Sequence, residues 1–491
     1  MPMRLGGLQF SAAMVLALAY FGLIVQSRAI PADLHPCKGL AEARCGTLMV
    51  FENRLAKHGR RIPIAVSVVP GTGPYRAEPI FILQGGPGQA ATDIASDIVH
   101  DWEAELRKTH DVVLVDQRGT GKSNGLRCAP AAAPQEYFGH VEYDPARLKA
   151  CRAQLERRAD LTLYGSSLAA DDLDEVRAWL GYVKIILWGG SYGTKEAQVY
   201  MRQYPTHVAA AILDGVDSFG SRDPLYYAYG SQKGLERVFA DCAAQPSCAK
   251  AYPNLSGDFA ILLDRFRRGP LNAHVHPDPM SPPVTVRYSL GDFGYTVRGL
   301  LYSPERSALL PSQITASAAS GNVDVFAQAY YERARALGQA ISGGMYLSIT
   351  CSEVQPYTPD DVTRWTAGTF LGDYMVNDYR NACALWPRAR IPASYFRPLT
   401  SDIPTLLFSG GRDPTTPAEF AEGVARHLSQ SKHSVFPRGG HGNADNPCGM
   451  SIVKAFLKTK SVEGLDISCA KTVSSAVAFK VPAKQGPEQQ R

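Results

Sequence analysis

Gly189-Gly190-Ser191-Tyr192-Gly193 has the form GxSxG. A serine in this setting can stand on a sharp strand-to-helix turn, with its hydroxyl clear of the sheet and flanking glycines letting the backbone close. The neighbourhood agrees: the apolar run VKIILW precedes the motif, and TKEAQVYMRQY, a helical pattern stopped by Pro205, follows it. A serine hydroxyl becomes a nucleophile when a histidine takes its proton and a buried carboxylate orients that histidine. Two residues further on have the right types and order. Asp413 lies in SGGRDPTTP behind the run PTLLF, and His441 lies in PRGGHGN behind HSVF. The order serine, acid, histidine is that of strand-end triads built on a parallel sheet. Asp402 precedes its strand and would fall at the wrong end. The expected chemistry is acyl transfer through Ser191, with His441 as base and Asp413 as its orienting acid.

Such chemistry passes through an oxyanion that needs preorganised N–H donors. One expected donor is the backbone N–H of Tyr192, the residue after the nucleophile. The other comes from Gln84-Gly85-Gly86-Pro87-Gly88, a glycine-rich loop directly behind IFIL, with Gly86 the first choice and Gly85 the second. Asp116-Gln117-Arg118-Gly119-Thr120-Gly121-Lys122-Ser123 ends like a phosphate-binding loop. However, Asp116 occupies the position of the required leading glycine, and Asn124-Gly125 interrupts any helix behind it. It is read as a structural loop beside the site, and no nucleotide is expected.

These residues need a scaffold. IFIL, VVLV, VKIILW, AAAIL, PTLLF and HSVF are continuous apolar runs that each end in a polar or glycine-containing loop, the pattern of parallel strands buried on both faces. Residues 47–70, with VSVV, suggest hairpin strands ahead of them. Between runs lie helical patterns; Ala169, Leu173, Val176 and Leu180 share one face and Gly181 stops the helix. This alternation predicts an α/β sheet built from crossovers. It breaks between 218 and 399, where amphipathic stretches such as 259–268 and 323–337 predict a mostly helical cap inserted over the site.

The 491-residue chain is 45% hydrophobic and 20% charged, as a globular core requires, and its formal charge of +5 is scattered. Nothing in it points to nucleic acid. Arg4, the apolar run 11–25 and Ser27-Arg28-Ala29 form the parts of a secretory signal peptide cleaved after Ala29. No second long apolar run follows, so no stable membrane insertion is expected once the signal is removed. Ten cysteines at short separations suit an oxidising compartment, periplasm or medium, and neighbour pairing is the expected connectivity. Neither CxxC nor HxxxH spacing occurs, so neither a metal nor another cofactor is expected.

The motifs QGGPGQ, DQRGTGKS, LWGGSYGT, AILDGV, SGGRDPTTP and GGHGN, in that order, resemble the prolyl-iminopeptidase and secreted tripeptidyl-aminopeptidase branch of the α/β hydrolases, with its TAP-like C-terminal part. The resemblance runs from about Cys45 to Cys469. It implies an α/β-hydrolase fold with a mostly parallel sheet, and the three triad roles on Ser191, Asp413 and His441. It also implies an exported serine aminopeptidase that releases short N-terminal units from a peptide substrate. The implied organisation is a signal at 1–29, a first core part at 30–217, a cap at 218–399, a TAP-like core part at 400–479 and a disordered tail at 480–491. Where the family usually has histidine before GGPG, this chain has Gln84. Ile349-Thr350-Cys351-Ser352-Glu353 resembles the cap segment with an acidic residue beside a cysteine, which makes Glu353 the candidate anchor for the substrate's ammonium. Two other functions fit the same residues: a carboxylesterase using the same triad, and a catalytically silent binding protein on this scaffold.

Overall fold

A computed structural model describes residues 33–74, 76–100, 105–139, 143–472 and 478–481; the expected signal peptide and the tail beyond Val481 lie outside the described residues. The chain enters through β1 (His35–Cys37), β2 (Leu40–Phe51) and β3 (Arg61–Val69), an antiparallel ribbon. The six apolar runs then form β4 (Ile80–Leu83), β5 (Val112–Val115), β6 (Ile185–Gly190), β7 (Val208–Asp214), β10 (Thr405–Gly410) and β11 (Ser431–Phe436). All join one nine-stranded sheet in the order β1-β2-β3-β5-β4-β6-β7-β10-β11. From β5 to β11 every neighbouring pair is parallel, and only the β1–β3 ribbon and its junction with β5 run antiparallel.

Burial on both faces explains why these strands read as unbroken apolar runs. In β6, Ile185 and Leu187 join one core while Ile186 and Trp188 join the core on the other face. Ala211 and Leu213 of β7 likewise oppose Ala210 and Ile212. The crossover helices cover these faces. Ser166–Trp179 lies between β5 and β6, Tyr192–Gln203 between β6 and β7, and Ala418–Ala425 between β10 and β11. Asp214 ends β7, and Gln84, Ser191, Asp413 and His441 follow the C-terminal ends of strands, the edge where open parallel sheets place their sites.

The segment between β7 and β10 is mainly helical and carries its own core, in which Phe259, Phe266, Phe293, Phe326 and Tyr330 pack together. One hairpin, β8 (Leu271–Val275) with β9 (Val284–Tyr288), interrupts the helices. Its inward residues Ala273, Val275, Val286 and Tyr288 belong to that same core. Phe479 is buried there too, and the Tyr252 hydroxyl donates to the Lys480 carbonyl at 2.6 Å. No helix among the described residues is long and apolar enough to cross a membrane.

All ten cysteines pair with their nearest neighbour in sequence: Cys37–Cys45, Cys128–Cys151, Cys242–Cys248, Cys351–Cys383 and Cys448–Cys469. The widest loops close 32, 23 and 21 residues and join separate helices or loops. In the chain-entropy account a bridge of this kind stabilises by about 2–4 kcal/mol. Full reduction, followed by thiol titration and calorimetry, is therefore expected to lower Tm by several degrees. An unchanged Tm with all thiols titratable would count against these bridges.

Candidate active site

The turn at Ser191 has φ 55° and ψ −126°, a strained conformation for a residue with a side chain. Hydrogen bonds hold it from both sides. Ser191 N–H donates to the Asp214 carbonyl at 2.8 Å, and the Ser191 carbonyl accepts from the Thr194 hydroxyl at 2.6 Å. The flanking glycines are required by close packing. A Cβ on Gly193 would lie 2.1 Å from the Leu83 carbonyl, and one on Gly189 would lie 2.4 Å from that of Gly193.

His441 follows β11 and Asp413 follows β10, and the two side chains meet: Nδ1–H of His441 donates to Asp413 Oδ2 at 2.8 Å. The Asp413 side chain is fully buried and that of His441 is 12% exposed. The amides of Thr415 and Thr416 donate to Asp413 Oδ1 at 2.8 and 2.9 Å, and the Thr416 hydroxyl donates to Oδ2 at 2.7 Å. These donors hold the carboxylate in one orientation. Burial pulls the His441 pKa down, but the Asp413 charge and hydrogen bond prevail and push it up to about 9. The imidazole approaches the nucleophile's turn through Gly215, where an added Cβ would lie 3.1 Å from His441 Cε1.

Asp214, the aspartate of the AILDGV motif, ties these parts together. Its carbonyl holds the Ser191 turn, while its carboxylate accepts from the amides of Asn443 (2.8 Å) and Ala444 (2.8 Å) in the histidine loop. Burial raises its pKa to about 6 against the pull of those amides. Tyr302 is a second missed residue. Its carbonyl accepts the His441 amide at 2.8 Å, and its ring lies edge-on to the imidazole at 5.0 Å between centroids. Nothing local in the sequence marks a cap tyrosine for that position.

The glycine loop lies against the nucleophile: a Cβ on Gly85 would sit 2.9 Å from Ser191 Cβ. Gly86 follows with φ 111°, open to glycine and strained for other residues. Cap residues close over the loop, with Ser342 N–H donating to the Gly88 carbonyl at 2.9 Å. Tyr192 opens its helix, so its N–H has no intrahelical acceptor. A cavity of about 250 Å³ is lined in part by Tyr143, Tyr295, Tyr330, Leu337, Ile341 and Tyr346, and of these Ile341 also packs toward Gly88.

Glu353 is in a different position from the one expected of a free anchor. It is 2% exposed, and its carboxylate accepts from the amide and hydroxyl of Ser166, both at 2.6 Å, and from the Tyr395 hydroxyl. Ser166 Oγ in turn bonds the Tyr192 phenol at 2.8 Å, to which Gln117 also donates at 2.9 Å. A carboxylate so saturated supports the nucleophile's helix from behind and has little capacity left for an ammonium. Gln117 belongs to the phosphate-loop look-alike, which is structural here. Its Asp116 accepts from the amides of Thr92 and Lys122, and its fully buried Arg118 forms a bidentate pair with Asp172.

Comparison with known proteins agrees with this architecture. Residues 78–257 match the family described as alpha/beta hydrolase fold, and residues 368–469 match the TAP-like protein family. The TAP-like match begins within the helical segment, before helix Tyr374–Leu385. The chain is 25% identical to serine protease Hip1 of Mycobacterium tuberculosis over 452 residues, covering 82% of this chain and 83% of that one. It is 24% identical to the tripeptidyl aminopeptidase of Streptomyces lividans over 459 residues, covering 87% and 83%. A solved structure of proline iminopeptidase from Mycobacterium smegmatis is similar at 16% identity, covering 84% of this chain and 98% of that one, with a TM-score of 0.37. The chain is an α/β-hydrolase-fold enzyme that carries an alpha/beta hydrolase domain over residues 78–257 and a TAP-like one over residues 368–469.

Proposed function

We propose that this chain is an exported serine aminopeptidase that cleaves short units from the N-terminus of peptides through an acyl-enzyme on Ser191. The observation that carries the reading is the bond between the His441 imidazole and the buried, amide-held Asp413, set against the Ser191 turn. The five disulfides support a destination outside the reducing cytoplasm. The names of the relatives, a serine protease and a tripeptidyl aminopeptidase, favour peptides over simple esters.

In this mechanism the Ser191 oxygen attacks the scissile carbonyl as its proton passes to His441 Nε2, and Asp413 stabilises the imidazolium so formed. The amides of Tyr192 and Gly86 receive the oxyanion, with Gly85 packed beneath. Collapse breaks the C–N bond, and His441 returns the proton to the leaving amine. Water then repeats the sequence on the acyl-serine and frees the N-terminal unit. The substrate's ammonium needs an acceptor that Glu353 no longer offers. Asp217 and Asp223 each keep a buried Oδ1 without a hydrogen-bond partner among the described residues. Both lie on the chain beyond Gly215, but Asp217 is paired with Lys195 at 3.4 Å, which leaves Asp223 to take the anchor role in this proposal.

The test compares a chromogenic amide of a short peptide bearing a free amine with its N-acetylated twin, with simple acyl esters alongside. The free amine is expected to win by about tenfold or more in kcat/KM, an ordinary value for one well-placed charge contact. Ester turnover with both peptides refused would transfer the triad to a carboxylesterase.

A further inference from the structure

The helical cap holds two arginines that the triad chemistry leaves unused. Arg298, in helix Leu290–Leu300, is 4% exposed; its guanidinium lies 4.3 Å from the Tyr227 ring centroid and 5.2 Å from that of Tyr302. Arg333, in helix Asp324–Ala340, lies over the same Tyr302 ring at 4.4 Å. Arg298 Nη2 donates to the Thr415 hydroxyl at 2.8 Å. The Nε atoms of both arginines are buried with no hydrogen-bond partner among the described residues. A guanidinium is permanently charged and carries five donors in a planar fork suited to a carboxylate. Buried donors without acceptors are costly to a folded chain and normally have a partner.

The pair lies beside the reacting centre. Tyr302, the ring they share, packs against His441 and accepts its amide. Thr415, which receives the Arg298 bond, donates its own amide to Asp413. Lys195 pairs with Asp217 at 3.4 Å, Asp413 is taken up by His441 and the Thr415 and Thr416 amides, and Asp223 lies near Arg298. Burial, with the neighbouring Asp217 charge, raises the Asp223 pKa. Against it stand both guanidiniums. Burial hinders ionisation of the Tyr302 phenol, yet Arg298, Arg333 and His441 together bring its pKa below that of an ordinary tyrosine.

We propose that Arg298 and Arg333 form a subsite for a carboxylate carried by the substrate's leaving fragment. The leaving amine takes its proton from His441, so the departing piece lies on the imidazole side, where Tyr302 and the two arginines sit. The carboxylate is either the C-terminus of a short peptide or an acidic side chain next to the cut. This rests on the serine-peptidase reading of the same site and adds to it a second charge that the substrate must carry.

The experiment uses three peptides that share one N-terminal unit: one with a leaving fragment ending in a free carboxylate, its C-terminal carboxamide, and a carboxamide with glutamate after the cut. The unaltered enzyme is expected to favour a carboxylate-bearing peptide over the plain carboxamide by about tenfold, chiefly through KM. The favoured peptide identifies the source. Arg298→Gln and Arg333→Gln are expected to erase the preference, and Arg333→Lys to keep part of it. Equal cleavage of all three by the unaltered enzyme would overturn the subsite while leaving the peptidase reading intact. Refusal of all three alongside ester turnover would remove both. A variant that lowers kcat equally for every peptide would show that the arginines only brace Tyr302, which also overturns the proposal. One arm needs no variant: the leaving fragment as free acid is expected to inhibit ester turnover competitively and more tightly than its amide. Equal inhibition would count against the subsite.

Discussion

Ser191→Ala is expected to lower turnover by about a million-fold, the scale seen when a triad serine is removed. The protein should otherwise remain as it was. The turn is fixed through the Ser191 backbone, by its amide to Asp214 and its carbonyl to Thr194, and alanine keeps both groups. The strained φ of 55° costs alanine about what it costs serine. Calorimetry should therefore give a near-native Tm while the rate collapses. A fluorophosphonate probe should label the unaltered enzyme and leave the variant unlabelled. Residual turnover above about one per cent in purified Ser191→Ala protein would mean another nucleophile, and the assignment would fall. A collapse in both rate and Tm would leave the labelling experiment on the unaltered protein to decide, by identifying the modified residue.

The parts of this molecule that were legible in the sequence are those in which local pattern and final environment agree. Strands buried on both faces show as apolar runs because every side chain in them meets a core, and all six runs became sheet strands. The loops behind β6, β10 and β11 carry Ser191, Asp413 and His441, so a parallel sheet brings to one edge residues up to 250 positions apart. The α/β-hydrolase fold and its TAP-like part follow from the same ordered motifs. The disulfides were legible because each joins neighbours.

What the sequence left hidden depends on tertiary neighbours. Glu353 resembles an anchor by its motif, yet Ser166 and Tyr395, far away in sequence, take up its oxygens. Asp214 could be taken for the end of any buried strand; only the folded chain shows it joining the nucleophile's turn to the histidine loop. The β8–β9 hairpin was lost among helices because its strands are short and half-buried, and their alternation covers only five residues each. Arg298 and Tyr302 sit on a helix and its end, where a polar residue signals nothing until its neighbours are known.

Asp413→Asn should be nearly as damaging as loss of the serine, and it should alter the pH profile as well as the rate. In the folded enzyme the His441 pKa stands at about 9 against an ordinary 6.5, with Asp413 opposing the burial that would lower it. General-base catalysis needs neutral imidazole, so kcat/KM should rise with pH and level off only near that value. The same shift contributes to stability. The contribution is fully present below the ordinary histidine value and is lost as pH climbs through about 9. Asparagine removes the charge and can present an N–H to Nδ1, which favours the wrong tautomer. A fall of about 10⁴ in kcat is the scale for that change. With the charge gone, burial dominates, and the acidic limb of the surviving activity should move to lower pH. A rate within about tenfold of the unaltered enzyme, on an unmoved limb, would mean that another group orients the imidazole. Asp214 is the nearest alternative carboxylate, but its oxygens are committed to the amides of Asn443 and Ala444. Asp214→Asn is therefore expected to loosen the histidine loop and lower Tm, leaving the acidic limb near its original position, because the imidazole's charge partner would still be Asp413.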